Sequence, residues 1–169
     1  AVNIITRKPS GEFGVRGVAA LGNLDYRRVL LNVDLPALGT LKAKVTGLYS
    51  QRDGWAHNRG NGDGVTPQAN DFQSDRKYAA RGAIRWEPSD SVTVDYAADY
   101  SNIRTTPVRY VTENAFAGLL FPGYNSNANL SYRPVHLPYS RVKSDGQSLI
   151  AEWQASDALT LRSLSGYRH

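Results

Sequence analysis

Three histidines, His57, His136 and His169, are the first residues to test for chemistry in this chain of 169 residues, and their spacing offers none. No HExxH and no i, i+4 histidine pair occurs, so the two imidazoles on one helical face that such a zinc site requires are not there. The chain has no cysteine, which removes thiolate zinc knuckles, iron–sulfur ligation, thiol nucleophiles and disulfides together. The run GNGDG at Gly60 to Gly64 lacks the Lys-Ser/Thr ending of a phosphate loop and the helix that should follow it. An EF-hand register fails as well, because Arg59 would stand at the first ligand position and Asn70 at the twelfth. Serine, histidine and aspartate are present, but no GxSxG elbow organises them. The sequence therefore predicts a protein that is not an enzyme, with no catalytic residue, no resident metal and no cofactor.

Charge gives the next test. Twenty Lys and Arg against fifteen Asp and Glu leave a net charge of +5 and a pI near 9.6, a balance that raises nucleic acid as a partner. The clustering that phosphate binding needs is missing: Arg7 with Lys8, Arg27 with Arg28, Lys42 with Lys44 and Arg76 with Lys77 fall in separate segments beside apolar or acidic residues. Solvated faces account for them, and no nucleic-acid partner is expected. A mean hydropathy of −0.45 with no long apolar run excludes a transmembrane helix. Insertion by strands is untouched by that argument.

The elements that must carry these residues alternate with a period of two. From Leu41 to Arg52 one parity holds Leu41, Ala43, Val45, Gly47 and Tyr49, and the other Lys42, Lys44, Thr46, Leu48, Ser50 and Arg52. Successive side chains of a strand point to opposite faces, so the pattern specifies a two-faced strand. Six further strands follow from the same reading, over Phe13 to Gly22, Tyr26 to Leu35, Lys77 to Glu87, Val92 to Ser101, Ser148 to Gln154 and Leu159 to Arg168. Fifteen charged residues share the polar parity across these seven strands, and only Arg27 falls on the other. Register is what such sorting specifies, since a slip of one residue exchanges the faces.

The connectors alternate too. PALGT, PSDS and ASDA are brief and rich in turn residues. After Arg52 and Ser101 come excursions of roughly two dozen and four dozen residues, far beyond hairpin length, and the short gap at Asn23 to Asp25 falls on their side. Short turns at one edge and long loops at the other are the habit of outer-membrane barrels. The strands from Leu41 and Lys77 reach the roughly 9–11 residues that a tilted membrane strand needs. Phe13, Trp86 and Trp153 mark the short-turn edge of the apolar parity, and Tyr49, Tyr78, Tyr100 and Tyr167 the long-loop edge, as two interfacial aromatic girdles would. On the polar parity Lys42, Lys44, Arg81, Arg85, Asp95 and Asp99 must pair or be hydrated, which a wide or plugged lumen permits. A soluble β-sandwich also has one apolar and one polar face, so alternation alone leaves both architectures open.

The opening VNIITRKPSGEFG resembles the junction in TonB-dependent outer-membrane receptors, where the last plug strand hands over to the first barrel strand. GNLDYRRVLLNVDLP, LYSQRDGW, IRWEPSDSVTVDYAADYS and LTLRSLSGYR resemble successive barrel segments of that family, in order. The resemblance is interrupted mainly between about Ile103 and Lys143. It implies residues 1–10 as the C-terminal end of a plug and residues 11–169 as the N-terminal part of a barrel. The fold class it predicts is all-β, an antiparallel meander of about seven long strands forming a partial segment of a 22-stranded transmembrane barrel. Most of the plug, the box that meets TonB and the remaining strands are absent from these 169 residues, so the chain reads as the middle of a longer polypeptide. The first and last strands should be unpaired edges.

What the resemblance implies for function is import of a scarce nutrient across the bacterial outer membrane, first of all a ferric siderophore or another iron chelate. Family members also take up cobalamin, nickel chelates and saccharides. The partners would be outer-membrane lipid, the nutrient itself, and the TonB complex through the missing N-terminal part. The two long loops would face outwards and capture substrate, which makes Trp55, His57 and Arg59 in the first and Arg104, Arg109, Tyr110, Tyr124, Arg133 and His136 in the second the candidate ligand-binding residues. Arg offers a fixed donor fork and Tyr a ring with a hydroxyl, both suited to anionic ligands rich in oxygen acceptors. The rival readings are a passive porin-like or adhesin-like barrel and a soluble carbohydrate-binding sandwich.

Overall fold

The computed structural model describes residues 6–57, 69, 71–108 and 137–169. Its strands are β1 (Gly14–Gly22), β2 (Tyr26–Asp34), β3 (Leu41–Arg52), β4 (Ala56–His57), β5 (Asp71–Phe72), β6 (Asp75–Ser89), β7 (Val92–Thr105), β8 (Ser140–Ser156) and β9 (Leu159–Arg168). Among the described residues there is no helix. Seven strands form one antiparallel sheet in the order β1-β2-β3-β6-β7-β8-β9, a meander in which each hairpin joins neighbours, and β4 pairs with β5 apart from it.

Each turn has a local cause. At the short-turn edge, Gly39 takes a φ of +60° within the β2–β3 connection, a conformation glycine adopts without cost. Ala37 donates to the Gly11 carbonyl at 2.7 Å and so ties the opening segment to that turn. At the opposite edge, Leu24 and Asp25 both take positive φ, 61° and 50°, which a two-residue turn matching strand twist demands. Leucine is a poor residue for that region, and the Asp53 amide holds it there by donating to the Leu24 carbonyl at 2.7 Å. The ladder slips once between Trp86 and Ser89 and once between Gln154 and Ser156. Both bulges sit next to short turns.

The alternation seen in the sequence is the alternation of the sheet, with one inversion of the soluble pattern. Along β6 the charged parity is consistently less exposed than the apolar parity. Val45, Ile84 and Trp86 are 52%, 44% and 45% exposed, whereas the Lys44, Asp34, Arg85 and Asp95 side chains are only 11%, 16%, 19% and 18% exposed. A water-soluble sheet buries its apolar face and wets its charged one. Among the described residues no second layer covers the apolar face, and the buried apolar residues reduce to Ala56, Ala69, Phe72, Ala97 and Leu137.

Two expectations need correction. The strands at the long-loop edge run further than the periodicity indicates: β7 continues to Thr105, and β8 begins at Ser140, eight residues before Ser148. Arg104 is therefore a sheet residue, paired with Arg76 and Arg141, and not a loop residue. The reason is that Arg76, Arg104, Arg141, Lys143 and Asp145 occupy the parity that is apolar lower down, so the two-faced pattern ends before the hydrogen-bonded ladder does.

Candidate functional site

The charged face is a paired lattice. Directly opposite residues carry opposite charges: Arg81 faces Asp99, Arg85 faces Asp95, and Lys44 faces Asp34. Arg85 binds Asp95 through two parallel contacts of 2.7 and 2.8 Å, the fork geometry that makes Arg–carboxylate pairs strong. Lys42 reaches Glu87 at 2.5 Å, Arg81 reaches Asp99 at 3.2 Å, and Lys44 reaches Asp34 at 3.5 Å. All six charges that required partners have them. Arg168 adds a longer reach: it lies in register with Gly146 and Asp99 on successive strands, passes over the bare glycine, and contacts Asp99 at 3.2 Å.

The opening segment rests on this face. Lys8 Nζ stands 3.0 Å from Asp95, the Ser10 amide donates to Asp34 at 3.2 Å, and Pro9 between them is buried. Gly11 takes a φ of +79°, and a Cβ there would lie 2.9 Å from the Lys42 side chain, so the turn into β1 depends on glycine for conformation and for space.

The long-loop edge gathers residues from both excursions. Ala56, Ala69 and Phe72 of the first and Leu137 of the second form one buried cluster, with Tyr139 packed against it. The Ala69 amide donates to the Leu137 carbonyl at 3.1 Å. Gly54 passes so close beneath Phe72 that an added Cβ would meet its carbonyl oxygen at 1.8 Å. Thr106 is buried where the two loops leave the sheet: its hydroxyl accepts from the Ser74 amide and donates to the Asp71 carbonyl, each at 2.8 Å.

Beneath this cluster lies a hollow of 210 Å³ lined by Arg52, Arg76, Arg104, Asp53, Asp71 and Asp75 together with Gln51, Ser74, Ala69 and Tyr139. Arg52 contacts Asp75 at 3.4 Å, and the Arg104 guanidinium lies 3.3 Å over the Tyr139 ring, a cation–π contact. Arg104 Nε is shut from solvent without a hydrogen-bond partner among the described residues. The arrangement presents donor forks and carboxylates to a polar ligand. No group of three His, Cys, Asp or Glu that could hold a metal occurs among the described residues.

Of the residues singled out from sequence, Arg104 lines the hollow. Trp55 is exposed outside it, with its indole N–H donating to Gln73 Oε1. His57 lies in β4, opposite Asp71. Arg59, Arg109, Tyr110, Tyr124, Arg133 and His136 fall outside the described residues. Sequence reasoning passed over Arg76, Asp75 and Tyr139, which frame the hollow from strand ends; Arg76 beside the Asp75–Arg52 register was the available signal. Comparison of the chain with family models, curated proteins and solved structures finds no match.

Proposed function

We propose that this chain is the end of the plug and the first seven barrel strands of a TonB-dependent outer-membrane receptor, a non-enzymatic importer of an iron chelate or comparable nutrient. The observation that carries the reading is the inverted exposure of the sheet: aliphatic and aromatic side chains stand outwards while ion-paired charges lie on the more enclosed side. Lipid outside and a wet, plugged interior satisfy both faces. Strands of 12 to 17 residues in β3, β6, β7 and β8 are long enough to cross a tilted barrel wall. The Lys8–Asp95 contact supports a plug end, because it lays the segment before β1 on the face that would line the lumen.

A passive porin would leave that face to water and needs no segment across it. A soluble sandwich needs a second sheet over Val45, Ile84 and Trp86, and the described residues place none there. The test is assembly of the intact protein that carries this chain, in outer-membrane fractions. Val45→Arg or Ile84→Arg puts a charge on the outward face and should cost roughly 2–4 kcal/mol near the bilayer midplane, lowering the assembled fraction. Lys44→Gln on the opposite face should be mild. Equal losses at both kinds of site would remove the assignment of faces.

A further inference from the structure

On the charged face the one-to-one pairing fails at the long-loop rim. Arg28, Ser50 and Lys77 stand in one row across β2, β3 and β6, which puts the Arg28 and Lys77 Cα atoms about 10 Å apart. Beside the row, Arg52 faces Asp75. Asp75 serves two cations, Arg52 at 3.4 Å and Lys77 at 3.2 Å. Arg28 has no ion pair among the described residues, and Asp25 at the adjoining turn is taken by Arg27 at 2.6 Å. Three cations thus share one carboxylate, whereas towards the short turns Lys44, Arg81 and Arg85 each face an acid of their own.

These side chains line a recess of 670 Å³, within the roughly 300–1,000 Å³ of small-molecule sites. Its floor holds a second unmet demand. Ser50 is 7% exposed, and its side chain makes no hydrogen bond among the described residues, although a buried hydroxyl without a partner is costly. The neighbouring hollow differs, because its three arginines are matched by Asp53, Asp71 and Asp75. Of the two, the recess carries the excess of positive charge. A neutral ligand gains nothing from that excess, and a ligand with a single charge leaves one cation unanswered. A ligand with two or more anionic oxygen groups meets both cations and can accept from the Ser50 hydroxyl between them.

We propose that Arg28 and Lys77, with the Ser50 hydroxyl between them, select a multiply anionic, oxygen-rich chelate as the nutrient, in preference to the neutral classes. The proposal rests on the importer reading above and adds a charge filter on the strands to capture by the long loops. Its test is equilibrium retention of radioactive iron by the intact protein that carries this chain, purified in detergent. The probes are ferric citrate and ferric enterobactin, anionic through carboxylates and catecholates respectively, and ferrichrome, which is neutral. At least one anionic chelate should be retained in preference to ferrichrome, and the two anionic arms tell carboxylate from catecholate recognition. The double variant Arg28→Gln, Lys77→Gln leaves Asp75 paired with Arg52, so the fold is spared, and it should lower affinity for that chelate at least about tenfold, the scale of lost charged hydrogen bonds. Arg28→Lys should bind better than Arg28→Gln, and Arg162→Gln, on β9 beside Glu152, should bind as wild type. Retention of ferrichrome as well as either anion, retention of neither anion, or unchanged affinity in the double variant would each overturn the charge filter while leaving the importer reading standing. Absence of the protein from outer-membrane fractions would remove both.

Discussion

At the scale of single residues, two glycines show how differently the same missing side chain can matter. An added Cβ at Gly146 would meet the guanidinium of Arg168 at 3.1 Å, the far end of a flexible side chain that can move aside. At Gly54 it would meet the backbone carbonyl of Phe72 at 1.8 Å, which cannot yield without separating the start of the first loop from β5. Gly54→Ala should therefore destabilise the loop cluster by about 1–3 kcal/mol, the usual range for overpacking, and accelerate proteolysis between Gly54 and Phe72. Gly146→Ala should leave that pattern unchanged. Equal protease sensitivity in the two variants would refute the close approach at Gly54. Neither role is legible in the sequence, because the neighbours are 18 and 22 residues away from their glycines and only the fold brings them close.

At the scale of elements, the interior of the sheet was legible and its upper rim was not. Lys42, Lys44, Arg81, Arg85, Asp95 and Asp99 announced the faces because each lies where one face must be enclosed. From Ser140 to Gln147 the pattern offered nothing to read, since Arg141, Lys143 and Asp145 put charge on the side that carries Leu149 and Trp153 further along. Backbone pairing continues there regardless of side-chain polarity, and Thr106 shows what closes it off. Its hydroxyl satisfies the Ser74 amide and the Asp71 carbonyl together. Thr106→Val keeps the shape but strips both bonds and leaves the half-buried Ser74 amide without this acceptor, at a cost of about 1–3 kcal/mol. Amide exchange at Ser74 should quicken while exchange at Ala83, in the middle of β6, stays slow. Simultaneous loosening of both amides would mean that the rim and the sheet open as one unit, contrary to this account.

At the scale of the whole molecule, the sheet is a wall with two open edges. β1 and β9 each pair on one side only among the described residues, and such edges invite further strands; in a barrel those strands come from the same polypeptide. On the proposed reading the wall separates two environments; the loops stand at one of its rims, where Ala69 and Phe72 from one excursion pack with Leu137 from the other. That packing joins the two loops through Ala69, Phe72, Leu137 and Tyr139. Deleting residues 109–136 from the intact protein removes Arg109, Tyr110, Tyr124, Arg133 and His136 while retaining Leu137, Tyr139 and the β7–β8 ladder. If the proposed function holds, barrel assembly survives, as judged by the heat-modifiable band of the folded protein, and binding of an iron chelate is lost in an equilibrium assay on whole cells. Retained binding would place capture in the hollow of Arg52, Arg76 and Arg104 instead. The variant Arg104→Gln would then discriminate further, because it removes a fork from the hollow and should lower affinity only if that hollow holds the ligand.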